Sequence, residues 1–233
     1  MAYGKLFLRL RKVVRLFFPS YTFSAFPLLD RPTVFVSHHQ NLFGPVSIMM
    51  WQPKFVRLWV LGNFLEQETC FKQYYDYTLT QRFGLPGPLA WLLAKPMSFF
   101  VAALMQSMRA IPVYRGSRDI LKTLNQSVAA LKKREPVLIF PDKDYQNESG
   151  VTTDIYDGFL FLEKLYWKAH REHVQFVPMY SDWSSKTVHF GAPISFTDGQ
   201  NFKAQRPAVA EALQRSLNDL HQESVVSQIG DVR

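Results

Sequence analysis

Three short runs constrain this chain more than any other feature: "TVFVSH" at 33–38, "PVLIFPD" at 136–142 and "VQFVPMY" at 174–180. They are apolar at nearly every position rather than at every second one. Such runs read as strands of a parallel sheet that is covered on both faces. Between and around them lie stretches of helical period. "DILKTLNQSVAALKKR" carries its basic residues in the last turn, as a helix end favours. "YDGFLFLEKLYWKAHR" and "KAQRPAVAEALQRSLNDL" read as further helices. "VRLWVLG" and "AIPVYRG" add strands, and "TVHFGAPISF" reads as one more. Strand and helix alternating in this way predict an α/β fold with a mixed, largely parallel sheet flanked by helices. Ligands of such folds gather where the strands end.

At 233 residues, with 47% hydrophobic and 20% charged content, the chain is long enough for one large core and is not a disordered composition. The organisation expected is a basic amphipathic segment over 1–30, an α/β domain over 31–223 and a flexible tail over 224–233. In the first segment Leu6, Phe7, Leu10, Val13, Val14, Phe17 and Phe18 share one helical face. Lys5, Arg9, Lys12 and Arg15 lie mostly opposite. This pattern suits a bilayer interface, and it equally suits a terminal helix that packs on the core with a solvated basic face. The region "LPGPLAWLLAKPMSFFVAALMQSM" is apolar but interrupted by Pro86, Pro88, Lys95 and Pro96. Its longest uncharged run, 96–108, is short of the ~20 residues a membrane span needs, so it reads as a core helix or one dipped into lipid.

The net charge of +8 points to a polyanionic partner, either anionic lipid or nucleic acid. No aromatic-interleaved RNA signature accompanies the charge, so nucleic acid is not expected. The single cysteine, Cys70, forms no internal disulfide and suits a reducing compartment. His170 and His173 stand three apart with no thiol or matching acid nearby, which predicts a solvated face and no metal. There is no Gly-rich phosphate loop and no Gly-x-Ser-x-Gly elbow.

What stands at the strand ends is His38-His39, Tyr114-Arg115-Gly116, Pro141-Asp142-Lys143-Asp144 and Pro178. Side chains alternate along a strand, so the two histidines should point to opposite faces unless the turn has already begun. These blocks in this order resemble the glycerolipid acyltransferase family, that is, the lysophosphatidate and glycerol-phosphate (PlsC-type) acyltransferases. "SHHQNLFGP" places His39 on the family's histidine. "AIPVYRG" places Arg115 on its second-motif arginine. "IFPDKDYQ" matches the start of its Phe-Pro-Glu-Gly motif, and "VQFVPMY" matches its Val-Pro strand. "YDGFLFLEKLYW" and "VHFGAPISF" resemble later family segments, so the likeness runs from about Arg31 to Phe196.

The resemblance implies transfer of an acyl group from acyl-CoA or an acyl carrier protein, as co-substrate and with no resident cofactor, to a hydroxyl of a lysophospholipid or glycerol-phosphate-like acceptor. It implies a protein lying peripherally on the cytoplasmic face of the cell membrane. A neutral imidazole suits removal of the hydroxyl proton, which makes His39 the candidate base. The family's aspartate falls here on Gly44. Asn41 is then the candidate for orienting the ring, and Asp142 or Asp144 for supplying a carboxylate if their loop folds over His39. Arg115 and Gly116 are candidate acceptor-binding residues, together with Lys143, Asp144 and Tyr145 of the loop and Gly44 at the turn. An arginine at 115 could grip a phosphate bidentately. The loss of the aspartate and of most of the third motif leaves a second reading, a lipid- or acyl-thioester-binding protein of the same fold.

Overall fold

A computed structural model describes residues 2–27, 29–114, 118–144, 147, 149–199 and 201–230. The chain divides into two compact units. One comprises the chain up to Lys12 together with Arg57–Gln126, and the other comprises Val13–Val56 and everything from Ser127 onward. Two of the three boundaries fall inside helix α1 (Lys5–Phe17) and helix α5 (Ile120–Lys132), and the third lies between Val56 and Arg57.

The second unit carries the expected sheet. Strand β2 (Thr33–Ser37) lies parallel to both β5 (Val137–Ile139) and β6 (Gln175–Asp182), with Val36 level with Ile139 and Ser37 level with Met179. Every residue of these three strands is buried, which is why their sequences are apolar without alternation. β7 (Thr187–Phe190) and β8 (Ile194–Ser195) both run antiparallel to β6, and β1 (Thr22–Phe23) lies parallel to β7. The single strand expected over "TVHFGAPISF" is therefore two, parted at 191–193. Pro193 has no N–H to donate to a ladder there. Helices α2 (Phe43–Trp51) and α7 (Phe202–Gly230) pack against β6. Helix α6 (Phe161–His170) follows a single 3-10 turn, Asp157–Leu160. α7 runs past the Ser224 boundary where the sequence suggests a tail. Ser224 is buried, while Val225 and Val226 just beyond it are exposed.

The first unit pairs β3 (Arg57–Leu61) with β4 (Ile111–Val113) in parallel. Between them come α3 (Gln67–Lys72), a π-helical stretch Gln73–Arg82, and α4 (Gly87–Ser107). Two expectations change here. α4 is continuous through Pro96 rather than broken. It is also not a core helix. Ala90, Ala94, Ser98 and Ala102 form its narrow buried stripe, four residues apart, while Trp91, Leu92, Phe99 and Phe100 are exposed. Ala90 and Ala94 cluster with Leu79, packed against Phe71, Tyr74, Tyr75 and Leu85. Among the described residues α4 is the one helix long and apolar enough to cross a membrane by length and composition, and only 28% of its most apolar window is buried.

Candidate functional site

β2 ends at Ser37 and the chain turns through 38–42 into α2. The turn is tight. Gln40 and Asn41 both take the left-handed backbone, at φ 47° and 58°, a conformation Asn tolerates far better than Gln. Backbone bonds hold it: Phe43 N–H donates to the Gln40 carbonyl at 3.1 Å, and Gly44 N–H to the His39 carbonyl at 3.1 Å. Gly44 is required by close approach. A Cβ there would lie 2.4 Å from the His38 carbonyl oxygen and 2.8 Å from that of His39. No side chain fits, so the carboxylate that the resembling family carries at this position is sterically excluded. Gly44 is correspondingly turned inward, with its N–H spent on the turn rather than offered to a substrate.

A carboxylate nevertheless reaches the turn from the neighbouring strand. Just beyond β5, Pro141 accepts from the Tyr156 N–H at 2.8 Å and Lys143 N–H donates to Asp154 at 3.1 Å, which fixes Asp142 between them. Asp142 is buried. Its Oδ1 lies 2.6 Å from His38 Nδ1, and its Oδ2 accepts the His39 backbone N–H at 2.7 Å. The loop thus does fold onto the histidine pair, but its carboxylate takes the ring of His38 rather than the ring of His39. The His38 ring is buried against Asp142, while the His39 ring is half-buried against Phe140. Among the described residues, buried His38 Nε2 has no hydrogen-bond partner, a cost that the Asp142 bond at Nδ1 helps to offset.

The His39 ring is only half-buried. Its Nδ1 is bonded to the carbonyl of Asn41, and its edge meets the Phe140 ring with centroids 5.3 Å apart. Asn41 therefore orients this imidazole through its backbone.

Beside the turn lies a cavity of about 570 Å³, walled by residues 40–43, by Tyr180, Asp182 and Trp183, and by His221 and Ser224. Tyr180 hydroxyl and His221 Nδ1 are 2.8 Å apart. Gly150, at φ 79°, closes a loop over this pair, and a Cβ there would fall 2.5 Å from the His221 ring. Burial, and then the Asp182 carboxylate, push the Tyr180 phenol up to about 12. Burial also acts to raise Asp182, but hydrogen bonds from Ser185, Ser184 and Ser224 outweigh it and hold the carboxyl below its usual range. The N–H groups of Ser184 and Ser185 each donate to it at 3.0 Å. Burial, and then the nearby His38, hold the His221 imidazole below its ordinary value. None of these residues carries a sequence signal of its own. Tyr180 and Asp182 read as the end of a strand, and His221 as one polar residue on a helix. Only exposed Trp183, directly after a buried strand, marks the place.

Of the other anticipated residues, Lys143 is exposed and paired with Asp154 at 2.5 Å, which raises its pKa through that hydrogen bond. Asp144 is exposed at the loop. Arg115, Gly116 and Tyr145 lie outside the described residues. His173 does not form a solvated face with His170. Its Nδ1 lies 2.7 Å from buried Glu163 and its ring stacks on Trp167 with centroids 4.1 Å apart. Among the described residues no three His, Cys, Asp or Glu side chains gather as a metal site.

No protein-family profile matches the chain, and no curated protein matches it. Among solved structures it is similar to the crystal structure of the 1-acyl-sn-glycerophosphate (LPA) acyltransferase PlsC from Thermotoga maritima. The two are 14% identical with a TM-score of 0.49, over 93% of this chain and 77% of that chain.

Proposed function

We propose that the protein transfers a fatty acyl group from an acyl thioester, acyl-CoA or acyl carrier protein, to the hydroxyl of a glycerolipid or lysophospholipid precursor. His39 is the general base. The observation that carries this reading is the His39 ring itself, half-buried at the carboxyl end of a parallel strand with Nδ1 on the Asn41 carbonyl. A carbonyl can only accept, so Nδ1 keeps the proton and the neutral ring has its lone pair on Nε2. That is the tautomer a proton acceptor needs. Asp142 accepts the His39 backbone N–H at 2.7 Å and so fixes the backbone that carries the ring. The acceptor oxygen loses its proton to Nε2 as it attacks the thioester carbon. The C–S bond then breaks, the ester remains, and the proton leaves on the thiol. His38 is too enclosed to reach a substrate and serves with Asp142 to brace the turn.

The reading also places the protein on a membrane, peripherally and from the cytoplasmic side. Exposed Trp91, Leu92, Phe99 and Phe100 on α4, and Leu16, Phe17 and Phe18 at the end of α1, support that. The test is thiol release from acyl-CoA or acyl carrier protein in the presence of candidate hydroxyl acceptors. Acceptor-dependent release is expected. One observation favours the second reading, a lipid- or acyl-thioester-binding protein without turnover: a carbonyl holds the His39 ring where a carboxylate would stabilise the imidazolium better. Vesicle binding without release for any donor or acceptor would decide for it.

A further inference from the structure

The cavity beside the histidine turn has a charge character of its own. Among the described residues of its wall, the only formal charge is negative, the Asp182 carboxylate, and neither Lys nor Arg contributes. Four donors hold that carboxylate ionised, two of them backbone N–H groups at 3.0 Å. The one imidazole among the described wall residues, His221, is held below its ordinary value by burial and then by His38. A cation does stand next to the wall, but it is already engaged. Lys186 Nζ lies 3.8 Å above the Trp183 ring and also bonds the Trp183 carbonyl. A phosphate in this cavity would meet a fixed carboxylate with no guanidinium or ammonium in the wall to answer it.

The remaining groups have the opposite preference. Asn41, Ser149 and Ser184 bring uncharged polar side chains to the wall, beside the Tyr180–His221 pair. Trp183 and Phe43, edge to face with centroids 5.2 Å apart, offer flat apolar surface between them. A small number of directed polar groups on aromatic walls, in a volume of this size, suits a small polar headgroup. The wall includes Asn41, whose carbonyl holds the His39 ring, although His39 is not itself among the described wall residues.

We propose that this cavity receives the headgroup of an uncharged, hydroxyl-rich acceptor, a glycosyl or polyol lipid, and discriminates against a phosphate-bearing one. The proposal rests on the acyl-transfer reading for the word acceptor, but the cavity's selectivity stands on its own residues.

The test is binding first, with two probes of equal chain, n-octyl glucoside and n-octyl phosphate, each below its micelle concentration. They are titrated into the full-length protein by calorimetry, with Trp fluorescence followed in parallel. Saturable glucoside binding at least tenfold tighter than phosphate binding is expected, weakened about tenfold by Ser149→Trp or Ser184→Trp. Both positions are exposed, so at least one filled-cavity variant should fold, as circular dichroism would verify. Equal or tighter phosphate binding, no glucoside binding, or glucoside binding indifferent to both variants overturns the proposal. Thiol release then separates the two readings. Selective glucoside binding without release for any acceptor contradicts the acyl-transfer reading and leaves the cavity assignment intact. Faster acylation of lysophosphatidate than of a monoacyl glycoside contradicts the cavity assignment and upholds the reaction.

Discussion

The turn at 38–44 and helix α4 break the ordinary rule of burial in opposite ways. At the turn, polar groups are inside: His38, Gln40 and Asp142 are buried. On α4, large apolar groups are outside, with Trp91, Leu92, Phe99 and Phe100 exposed. Strands β2, β5 and β6, buried along their whole length, follow the ordinary rule and say less about activity. Buried polar residues cost stability unless every donor finds an acceptor, so a turn built of them is retained for chemistry or geometry. An exposed apolar face costs solubility, so it is retained for a surface it meets.

If the turn is as tightly coupled as its bonds indicate, removing its carboxylate gives the largest change in stability. Asp142→Ala leaves the His38 ring and the His39 N–H unpaired, and should cost about 3–5 kcal/mol in a denaturant titration. A loss under 1 kcal/mol would mean that the pair is not the brace described. Gly44→Asp comes next. It writes the resembling family's carboxylate back into the sequence, yet it should destabilise by about 3 kcal/mol and restore nothing, because its Cβ meets two carbonyl oxygens. A stable and more active variant would show that the turn can open to admit it.

On the other side of the comparison, Trp91→Ser with Leu92→Ser should weaken binding to anionic phospholipid vesicles about tenfold and leave thermal stability nearly unchanged. Unchanged vesicle binding would make the face idle. The smallest effect concerns His221. Its folded pKa is depressed, so the unfolded chain takes up a proton that the folded one refuses. Stability should therefore fall as pH drops below about 6.5, and the drop should be shallower in His221→Asn. Parallel melting curves for the two proteins between pH 8 and pH 5 would remove His221 from the account.

Much of the scaffold was legible because each strand's period reports its own surroundings. "VLIF" and "VQFVPMY" are apolar throughout since both faces of β5 and β6 are covered. α4 misled for the converse reason. A window average registers how apolar a helix is, but not which face another element covers. The site was half legible. The order of blocks marks the histidine turn and Asp142. Sequence has no means of telling which ring meets the carboxylate, because that depends on the register of β5 against β2. Nor does it join Tyr180, Asp182 and His221, which come from a strand end and a helix more than 35 residues further on.

The central claim, that His39 moves the proton while His38 holds the turn, is tested most directly by thiol release in His39→Ala beside the unaltered protein at equal folded concentration. Turnover should fall by about 10²–10⁴ with acyl-CoA affinity retained. Turnover that survives at its original rate would contradict it.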